Sequence, residues 1–206
     1  ENLEIENGNV TFLKNHNALV SIENNEFTNI NFSLASIYIV RDPRDVVISY
    51  AHYKNVSYDK IIKDLCSNNL FYNLTTKENF PYVEILGSWK FNVNSWKNGI
   101  PKMPRIIIRY EDLLSNCYDQ FYKVINFICD LMNIKLNEEK IKFSVENSRF
   151  ELLKESEEKF GFKTNEGKSK FFRSGKSEQW KDILSKSQIK EIEEHCRDEM
   201  KFLGYL

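Results

Sequence analysis

Two segments of the sequence combine arginine with hydroxyl or glycine residues, which are the residue types that bind a phosphate group. In the first segment, Arg41 is followed eight residues later by Ser49. In the second, Arg173, Ser174 and Gly175 are consecutive. A guanidinium fork, a hydroxyl and an open backbone N–H in one loop form a concave site for an anion. We predict that these two segments bind the anionic groups of a ligand.

Each of these segments also has a plainer explanation, which the sequence leaves open. Arg41 could pair with Asp42 or Asp45, and Ser49 could fill a small gap in the packing. The loop at 172–175 could be a solvated basic surface, because several lysines surround it. The anion site therefore needs support from other parts of the chain.

A third segment, Lys14-Asn15-His16, carries groups that could orient and deprotonate a hydroxyl. Histidine suits general-base catalysis because imidazole titrates near neutral pH, although a lone histidine is more often a structural residue. Gly175-Lys176-Ser177 looks like the end of a P-loop, but Lys170 stands where that motif requires glycine. We therefore reject an ATPase P-loop there, and the spacing of the three histidines predicts no metal site.

Strand and helix patterns alternate along the chain, which predicts an α/β fold with a parallel sheet flanked by helices. Continuous apolar runs are typical of buried parallel strands, and they occur at 37–40 and 105–110. A shorter strand is predicted at 10–13. The helical spacing of apolar residues predicts helices over 83–97, 117–132 and 138–147.

The first site segment lies where a strand passes into a helix. Asp42 and Pro43 are typical of an N-cap and of a first helical position, so a helix should begin directly after Arg41. This places Arg41 at the strand end where α/β proteins bind ligands, beside the N–H groups of a helix N-terminus.

Later helices carry their own boundary residues. Ser148 with Glu151, and Ser185 with Gln188, have the spacing of capping boxes, and Gly204 is typical of a helix end. Between them, residues 155–180 show no periodicity. A stretch of this length predicts a functional or disordered loop.

Composition limits the class of protein. The 206 residues suit a single domain, which we place at 1–206. The net charge of −1 provides no basic field for nucleic acid, so an anion site must be built locally. No apolar run is long enough to predict a membrane span. The four cysteines form no C-x-x-C pair, which predicts reduced, mostly buried thiols in a cytoplasmic protein.

Taken in order, the site segments resemble motifs of the cytosolic-type sulfotransferase family, over about residues 10–204. Residues 37–50 resemble the motif in which an arginine and a serine eight residues later, here Arg41 and Ser49, bind the 3'-phosphate of the donor nucleotide. Residues 172–175, with Trp180 seven positions after the arginine, are similar to the C-terminal donor motif. That motif usually reads Arg-Lys-Gly, whereas this chain has serine in the middle position.

Three further segments resemble parts of the same family. Residues 109–113 look like a strand-end segment whose tyrosine, here Tyr110, often reaches the nucleotide. Ser148 and Phe150 resemble the pair that contacts the adenine and stacks on it. Residues 14–16 match the segment whose histidine, here His16, is the catalytic base, with Lys14 helping to neutralise the sulfuryl oxygens.

The resemblance implies a P-loop-NTPase-like sulfotransferase fold and transfer of a sulfuryl group from 3'-phosphoadenosine 5'-phosphosulfate. The acceptor would be a hydroxyl or amine of a small molecule, or a glycan or lipid hydroxyl. The product nucleotide would be adenosine 3',5'-bisphosphate. No metal is implied, and a homodimer is compatible with the family. The family also opens with a strand, a Lys-Ser-Gly-type loop and a helix that cradle the 5'-phosphosulfate, and we find no such loop in this sequence.

Two alternatives stay open from the sequence. A P-loop-type nucleotide kinase shares the sheet architecture and predicts an acidic Mg²⁺ ligand at a strand end, for which Asp42 and Asp112 are candidates. A non-catalytic relative could keep the fold and the nucleotide site without the reaction. The aromatic-rich residues 55–82 could form a lid over the acceptor or ordinary surface packing.

Overall fold

The computed structural model describes residues 10–67, 72–77, 80–161 and 171–206. The strands in chain order are β1 (Ser21–Ile22), β2 (Asn25–Glu26), β3 (Ser36–Val40), β4 (Tyr72–Lys77), β5 (Phe80–Ile85) and β6 (Arg105–Arg109). The helices in chain order are α1 (Pro43–Lys54), α2 (Tyr58–Cys66), α3 (Trp89–Asn98), α4 (Tyr110–Ser115), α5 (Cys117–Met132), α6 (Glu138–Asn147), α7 (Phe150–Phe160), α8 (Trp180–Ile183), α9 (Lys186–His195) and α10 (Arg197–Leu203).

Strands β3 and β6 form a parallel pair from the two apolar runs of the sequence. Their register aligns Ser36 with Arg105 and Val40 with Arg109, so both strands end at the same edge. One face of the pair packs on the main core, to which α1, α2, α3, α9 and α10 contribute buried side chains, including Val47, Ile62, Val93, Ile192 and Met200. The predicted α/β class, with helices flanking parallel strands, is confirmed.

On the opposite face of this pair, Ile108 of β6 is buried, whereas Ile37 and Ile39 of β3 are exposed to solvent. Ile37, Ile39 and Ile108 share that face, because aligned neighbours in a parallel register point to the same side. Ile108 is only 4% exposed, and α5 contacts its strand. In contrast, Ile37 is 37% and Ile39 is 58% exposed. Apolar parallel strands are normally covered on both faces, so β3 presents an unusually open apolar surface.

The strand predicted at 10–13 is wrong. These residues have irregular structure, and Val10, Phe12 and Leu13 are all exposed. They pair with no strand among the residues that the structure describes, so their apolar side chains have no sheet surface to pack on.

The helix predicted over 83–97 is correct only in its second half. Strand β5 extends to Ile85 and pairs antiparallel with β4, so the first residues of that stretch are extended. Gly87 follows with a φ of +67°, which redirects the chain. The Ser88 hydroxyl then accepts a hydrogen bond from the Phe91 N–H and caps α3, which begins at Trp89.

Most predicted helix boundaries are confirmed. Asp42 caps α1 through the Arg44 N–H, and Pro43 occupies its first turn. Helices α5 and α6 have the predicted limits. Ser185 and Gln188 form a capping box that opens α9, and Gly204 ends α10 in the left-handed conformation. The last helical stretch differs in one respect, because it is interrupted at Cys196 between α9 and α10.

The capping box predicted at Ser148 is wrong. The Ser148 hydroxyl donates to the Ser144 carbonyl at 2.7 Å, so this residue closes α6 instead of opening α7. Helix α7 begins at Phe150 after Arg149, without a side-chain cap, and continues to Phe160. The predicted loop therefore starts later than residue 155, and its part at 162–170 lies outside the described residues.

The first part of the candidate lid is ordinary core structure. Within 55–82, helix α2 buries Ile61, Ile62 and Leu65 in the main core. Strands β4 and β5 follow, and Phe71 lies outside the described residues. Packing therefore accounts for α2.

Across the described part of the chain, no helix is long and apolar enough to cross a membrane. The four cysteines are free, and Cys66, Cys129 and Cys196 are buried.

A buried arginine joins the turn after β3 to the C-terminal helices. The Arg44 guanidinium binds both carboxylate oxygens of Asp42, with contacts of 2.6–3.2 Å. It also pairs with Glu193 on α9, donates to the Tyr205 carbonyl at 3.1 Å, and lies 3.7 Å above the Trp180 ring. One side chain thereby holds together segments that are far apart in the sequence.

We expect Arg44→Ala to lower the free energy of unfolding by about 3 kcal/mol or more, because it leaves the Asp42 carboxylate buried without its partner. Lys60→Ala is the matched control. It removes the exposed pair of Lys60 with Asp64 on α2 and should change the free energy by no more than about 0.5 kcal/mol. Urea unfolding followed by circular dichroism measures both, and equal losses would contradict the role given to Arg44.

Candidate functional site

Arg41 lies at the carboxyl end of β3, directly before the first turn of α1. Its Nη2 donates to the Lys176 carbonyl at 2.9 Å and lies 3.5 Å from the Asp45 carboxylate. The guanidinium also lies over the Tyr110 ring, 4.6 Å from its centroid. The structure therefore brings together Arg41 and Tyr110, two residues that the sequence placed in the same site.

One buried nitrogen of Arg41, its Nε, is left without a hydrogen-bond partner in the described part of the chain. An unpaired guanidinium N–H in a half-buried position costs free energy, unless a ligand supplies an acceptor. A phosphate oxygen is an acceptor of the right charge and geometry for it.

The loop that carries Arg173 reaches Arg41 through its own backbone. The Lys176 carbonyl accepts from Arg41 and also from the Gln179 side chain, at 3.0 Å. The Gln179 side-chain oxygen in turn accepts from Arg173 Nη2 at 3.0 Å. The two arginines are thus connected through residues 176–179, although the guanidinium groups do not touch each other in this arrangement.

Gly175 is required where the loop meets Phe150. Its φ is +61°, and a Cβ at this position would lie 2.7 Å from the Phe150 ring. Phe150 also packs edge-on against Phe172, with ring centroids 6.1 Å apart. The Glu157 carboxylate accepts the backbone N–H groups of Phe171 and Phe172, which holds the start of the loop on α7. The predicted aromatic residue and the predicted loop are therefore neighbours.

Three predicted site residues that carry a hydroxyl group are less closely connected to Arg41 and Arg173. Ser49 is exposed on α1, two turns after Arg41. Ser174 is half-buried in the loop. Ser148 is exposed, and its hydroxyl is engaged by the Ser144 carbonyl. Their roles toward a ligand remain predictions.

His16 lies in a second group of candidate site residues, separate from Arg41 and the Arg173 loop. Its Nδ1 lies 3.0 Å from a carboxylate oxygen of Glu84 on β5, and the side chain is 60% exposed. A carboxylate on Nδ1 orients the imidazole and leaves Nε2 directed away from it. Lys14, two residues earlier, is exposed. The sequence contains no local signal for Glu84, because 68 positions separate it from His16.

Helix α3 contacts both the Arg41 region and the His16 region through its two tryptophans. The Trp89 indole N–H donates to the Arg41 carbonyl at 3.1 Å. The Trp96 indole N–H donates to the Asn17 carbonyl at 2.9 Å, directly beside His16. Asn92, between them, bonds the Tyr38 hydroxyl on β3 and the His16 carbonyl. The anion site and the histidine are therefore attached to one rigid element.

The acidic residues at the strand ends are poorly placed for a metal. Asp42 is 5% exposed, and Arg44 engages both of its carboxylate oxygens. Asp112 lies 3.8 Å from Arg109 and is half-buried. No group of three His, Cys, Asp or Glu side chains among the described residues is arranged to hold a metal ion.

Comparison with known proteins gives one family over nearly the whole chain. Residues 10–204 match the family model described as "Sulfotransferase domain". Sulfotransferase 6B1 from Danio rerio is 26% identical over 170 residues, which cover 77% of this chain and 49% of that protein. Sulfotransferase 2A6 from Mus musculus is 24% identical, over 80% of this chain and 55% of that protein. The chain thus spans about half the length of these curated relatives.

Solved structures show the same fold. A retinol dehydratase in complex with androsterone and the inactive cofactor PAP superposes on 96% of this chain and 55% of its own, with a TM-score of 0.66 and 21% identity. Mouse sulfotransferase SULT7A1 complexed with PAP covers 81% of this chain and 58% of its own, with a TM-score of 0.56 and 19% identity. At these identities the likeness concerns the fold alone.

We expect Gly175→Ala to lower the free energy of unfolding by about 2–4 kcal/mol, because it adds a clash with Phe150 to the strain of a left-handed residue. The matched control is Gly161→Ala. Gly161 has a φ of +71°, but a Cβ added there would meet open space, so only the strain of about 1–2 kcal/mol applies. Urea unfolding of both variants measures the difference, and equal losses would show that the contact with Phe150 is unimportant.

Proposed function

The chain belongs to the sulfotransferase domain family, and on that premise we propose that it binds the 3'-phosphate end of 3'-phosphoadenosine 5'-phosphosulfate. Arg41 is the main phosphate ligand, with Ser49, Arg173, Ser174 and Gly175 completing the grip. Phe150 stacks on the adenine, with Ser148 beside it, and Tyr110 supports Arg41 from the sheet edge. The complete enzyme transfers the sulfuryl group to a hydroxyl or amine acceptor.

The observation that supports this function best is the unpaired Nε of Arg41. Its neighbouring nitrogen Nη2 is already bonded to the Lys176 carbonyl, so the guanidinium is held in place before any ligand arrives. The same loop carries Gly175 against Phe150, so an aromatic ring lies beside one of the segments that we propose for the phosphate. A phosphate group beside an aromatic base is what a nucleotide offers.

The sulfate end of the donor needs residues that this sequence does not contain. No Lys-Ser-Gly-type loop is present, and the chain spans about half the length of its curated relatives. The open apolar face of β3, with Ile37 and Ile39, is suited to a further packing layer that would bring such a loop. We propose that transfer requires that layer, whereas binding of the 3'-phosphate requires only the residues around Arg41 and the Arg173 loop.

His16 has the chemistry of the base in this reaction. As the acceptor oxygen forms its bond to sulfur, the bond between sulfur and the 5'-phosphate oxygen breaks, and the acceptor proton passes to His16 Nε2. Glu84 holds the opposite ring nitrogen and stabilises the imidazolium that results. Lys14 neutralises charge on the sulfuryl oxygens, and no metal takes part.

The acceptor we propose is a small hydroxyl compound bound on the His16 side of α3. The retinol dehydratase structures contain androsterone or retinol, which are small molecules with a hydroxyl group. A glycan or lipid hydroxyl has the same reacting atom. A homodimer and a cytoplasmic location agree with the resemblance, and nucleic acid is not expected as a partner because the net charge is −1.

The binding proposal is tested by titrating adenosine 3',5'-bisphosphate into the protein and measuring heat by calorimetry. We expect Arg41→Ala and Arg173→Ala each to weaken binding by roughly 10- to 100-fold, which is the effect of losing a charge-assisted hydrogen bond. Arg197→Ala, at an exposed arginine on α10, is the control and should leave the affinity unchanged.

Three other results would count against the proposal. Equal affinity of Arg41→Ala and the unmodified protein would remove Arg41 as a ligand. Binding of ATP that depends on Mg²⁺, without binding of the bisphosphate, would favour the kinase. Binding of the bisphosphate without transfer, in a protein that includes the phosphosulfate loop, would favour a non-catalytic relative.

For the base, we expect His16→Ala to reduce the rate of sulfuryl transfer by about 100-fold or more, in the protein that carries the phosphosulfate loop. His52→Ala is the control, because His52 lies in the last turn of α1, on a different segment from the site around Glu84. Steady-state transfer rates measure both. Activity that survives His16→Ala would exclude His16 as the base.

A further inference from the structure

Asp45 is the most deeply buried acid of the chain's described part, and it lies in the first turn of α1. Its exposed fraction is 0%. One carboxylate oxygen accepts the Glu178 N–H at 2.7 Å, and the other accepts the Trp180 N–H at 3.2 Å. The first oxygen also lies 3.5 Å from Arg41 Nη2. A single carboxylate therefore contacts residues 178–180 twice and Arg41 once.

Keeping a charge at this position works against stability. Burial raises the pKa of the Asp45 carboxyl, and the Arg41 guanidinium and the two backbone N–H groups offset only part of that effect. The desolvation of a buried carboxylate can cost more free energy than its partners return, so stability alone does not account for Asp45. The Asp45 carboxylate is bonded to the backbone of the segment 176–180.

The Asp45 contacts lie at a strained point of this segment. Glu178 has a φ of +61°, a conformation that residues other than glycine rarely adopt. The bond from its N–H to Asp45 holds this turn, and the turn directs the Lys176 carbonyl toward Arg41. Gln179, between the two anchored residues, binds Arg173. Asp45 thus contacts one arginine directly and is connected to the other through residues 178–180.

We propose that Asp45 is a positioning residue for the donor: it holds Arg41 and the 176–180 loop in the arrangement that receives the 3'-phosphate, and it does not itself contact the nucleotide. This inference rests on the proposed function. Direct contact is excluded by chemistry, because the carboxylate would repel a phosphate and its oxygens already accept two N–H groups.

Asp45→Asn tests the proposal, because asparagine keeps the size of the side chain but has one oxygen acceptor instead of two. Without ligand, the amide hydrogens of Glu178 and Trp180 should exchange about tenfold faster, as followed by hydrogen–deuterium exchange and mass spectrometry. With ligand, the affinity for adenosine 3',5'-bisphosphate should fall about tenfold or more. The affinity for adenosine 5'-phosphate, which lacks the 3'-phosphate, should change by less than about twofold.

The control is Asp64→Asn, which removes an acid whose partner is the exposed Lys60. It should alter neither the exchange of the loop nor the affinity. A purely structural role for Asp45 predicts equal losses for both nucleotides or for neither, and either result would overturn the proposal. Unchanged exchange at Glu178 and Trp180 would overturn it as well. If the unmodified protein fails to bind the bisphosphate, the proposed function is wrong, while the exchange measurement still decides whether Asp45 holds the loop.

Discussion

The turn from β3 into α1 contains two buried carboxylates, and the rest of the site depends on how each is neutralised. Asp42 is paired with Arg44, and Asp45 is paired with Arg41 and with two backbone N–H groups. Because an unpaired buried charge is so unfavourable, these partners must be present for the turn to form. The pairing fixes the first turn of α1, the C-terminal residues and the loop before α8 relative to one another.

The two arginines of this turn have different tasks. Arg44 is only 4% exposed, and its guanidinium contacts Asp42, Glu193, Tyr205 and Trp180. With every side engaged by the protein, its role is structural. Arg41 lies at the strand end beside Tyr110, and its buried Nε has no hydrogen-bond partner among the described residues. The same residue type therefore stabilises the fold at one position and is available to a ligand three residues earlier.

Tyr205 and α3 extend this arrangement over the whole sheet edge. The Tyr205 hydroxyl donates to Glu111, whose other oxygen accepts the Asp42 N–H, so the end of the chain supports the strand end. Burial and the bond to Glu111 raise the pKa of Tyr205, which keeps it a neutral donor. Trp89 and Trp96 tie α3 to Arg41 and to Asn17. Fixed positioning of this kind is what the proposed sulfuryl transfer requires.

The sequence alone determined the local features of this protein. The apolar runs of β3 and β6, the cap at Asp42 and the capping box at Ser185 all follow from residue type and short-range spacing. Only the tertiary structure decided which acid pairs with which arginine, that Glu84 meets His16, and that Asp45 anchors the loop at Glu178. These contacts join residues 68 and 133 positions apart, and no local pattern encodes them because they arise from packing. The error at 10–13 has the same origin, since a strand needs a partner. The error at Ser148 is local, because Ser148 ends α6 and α7 begins only after the next residue, Arg149.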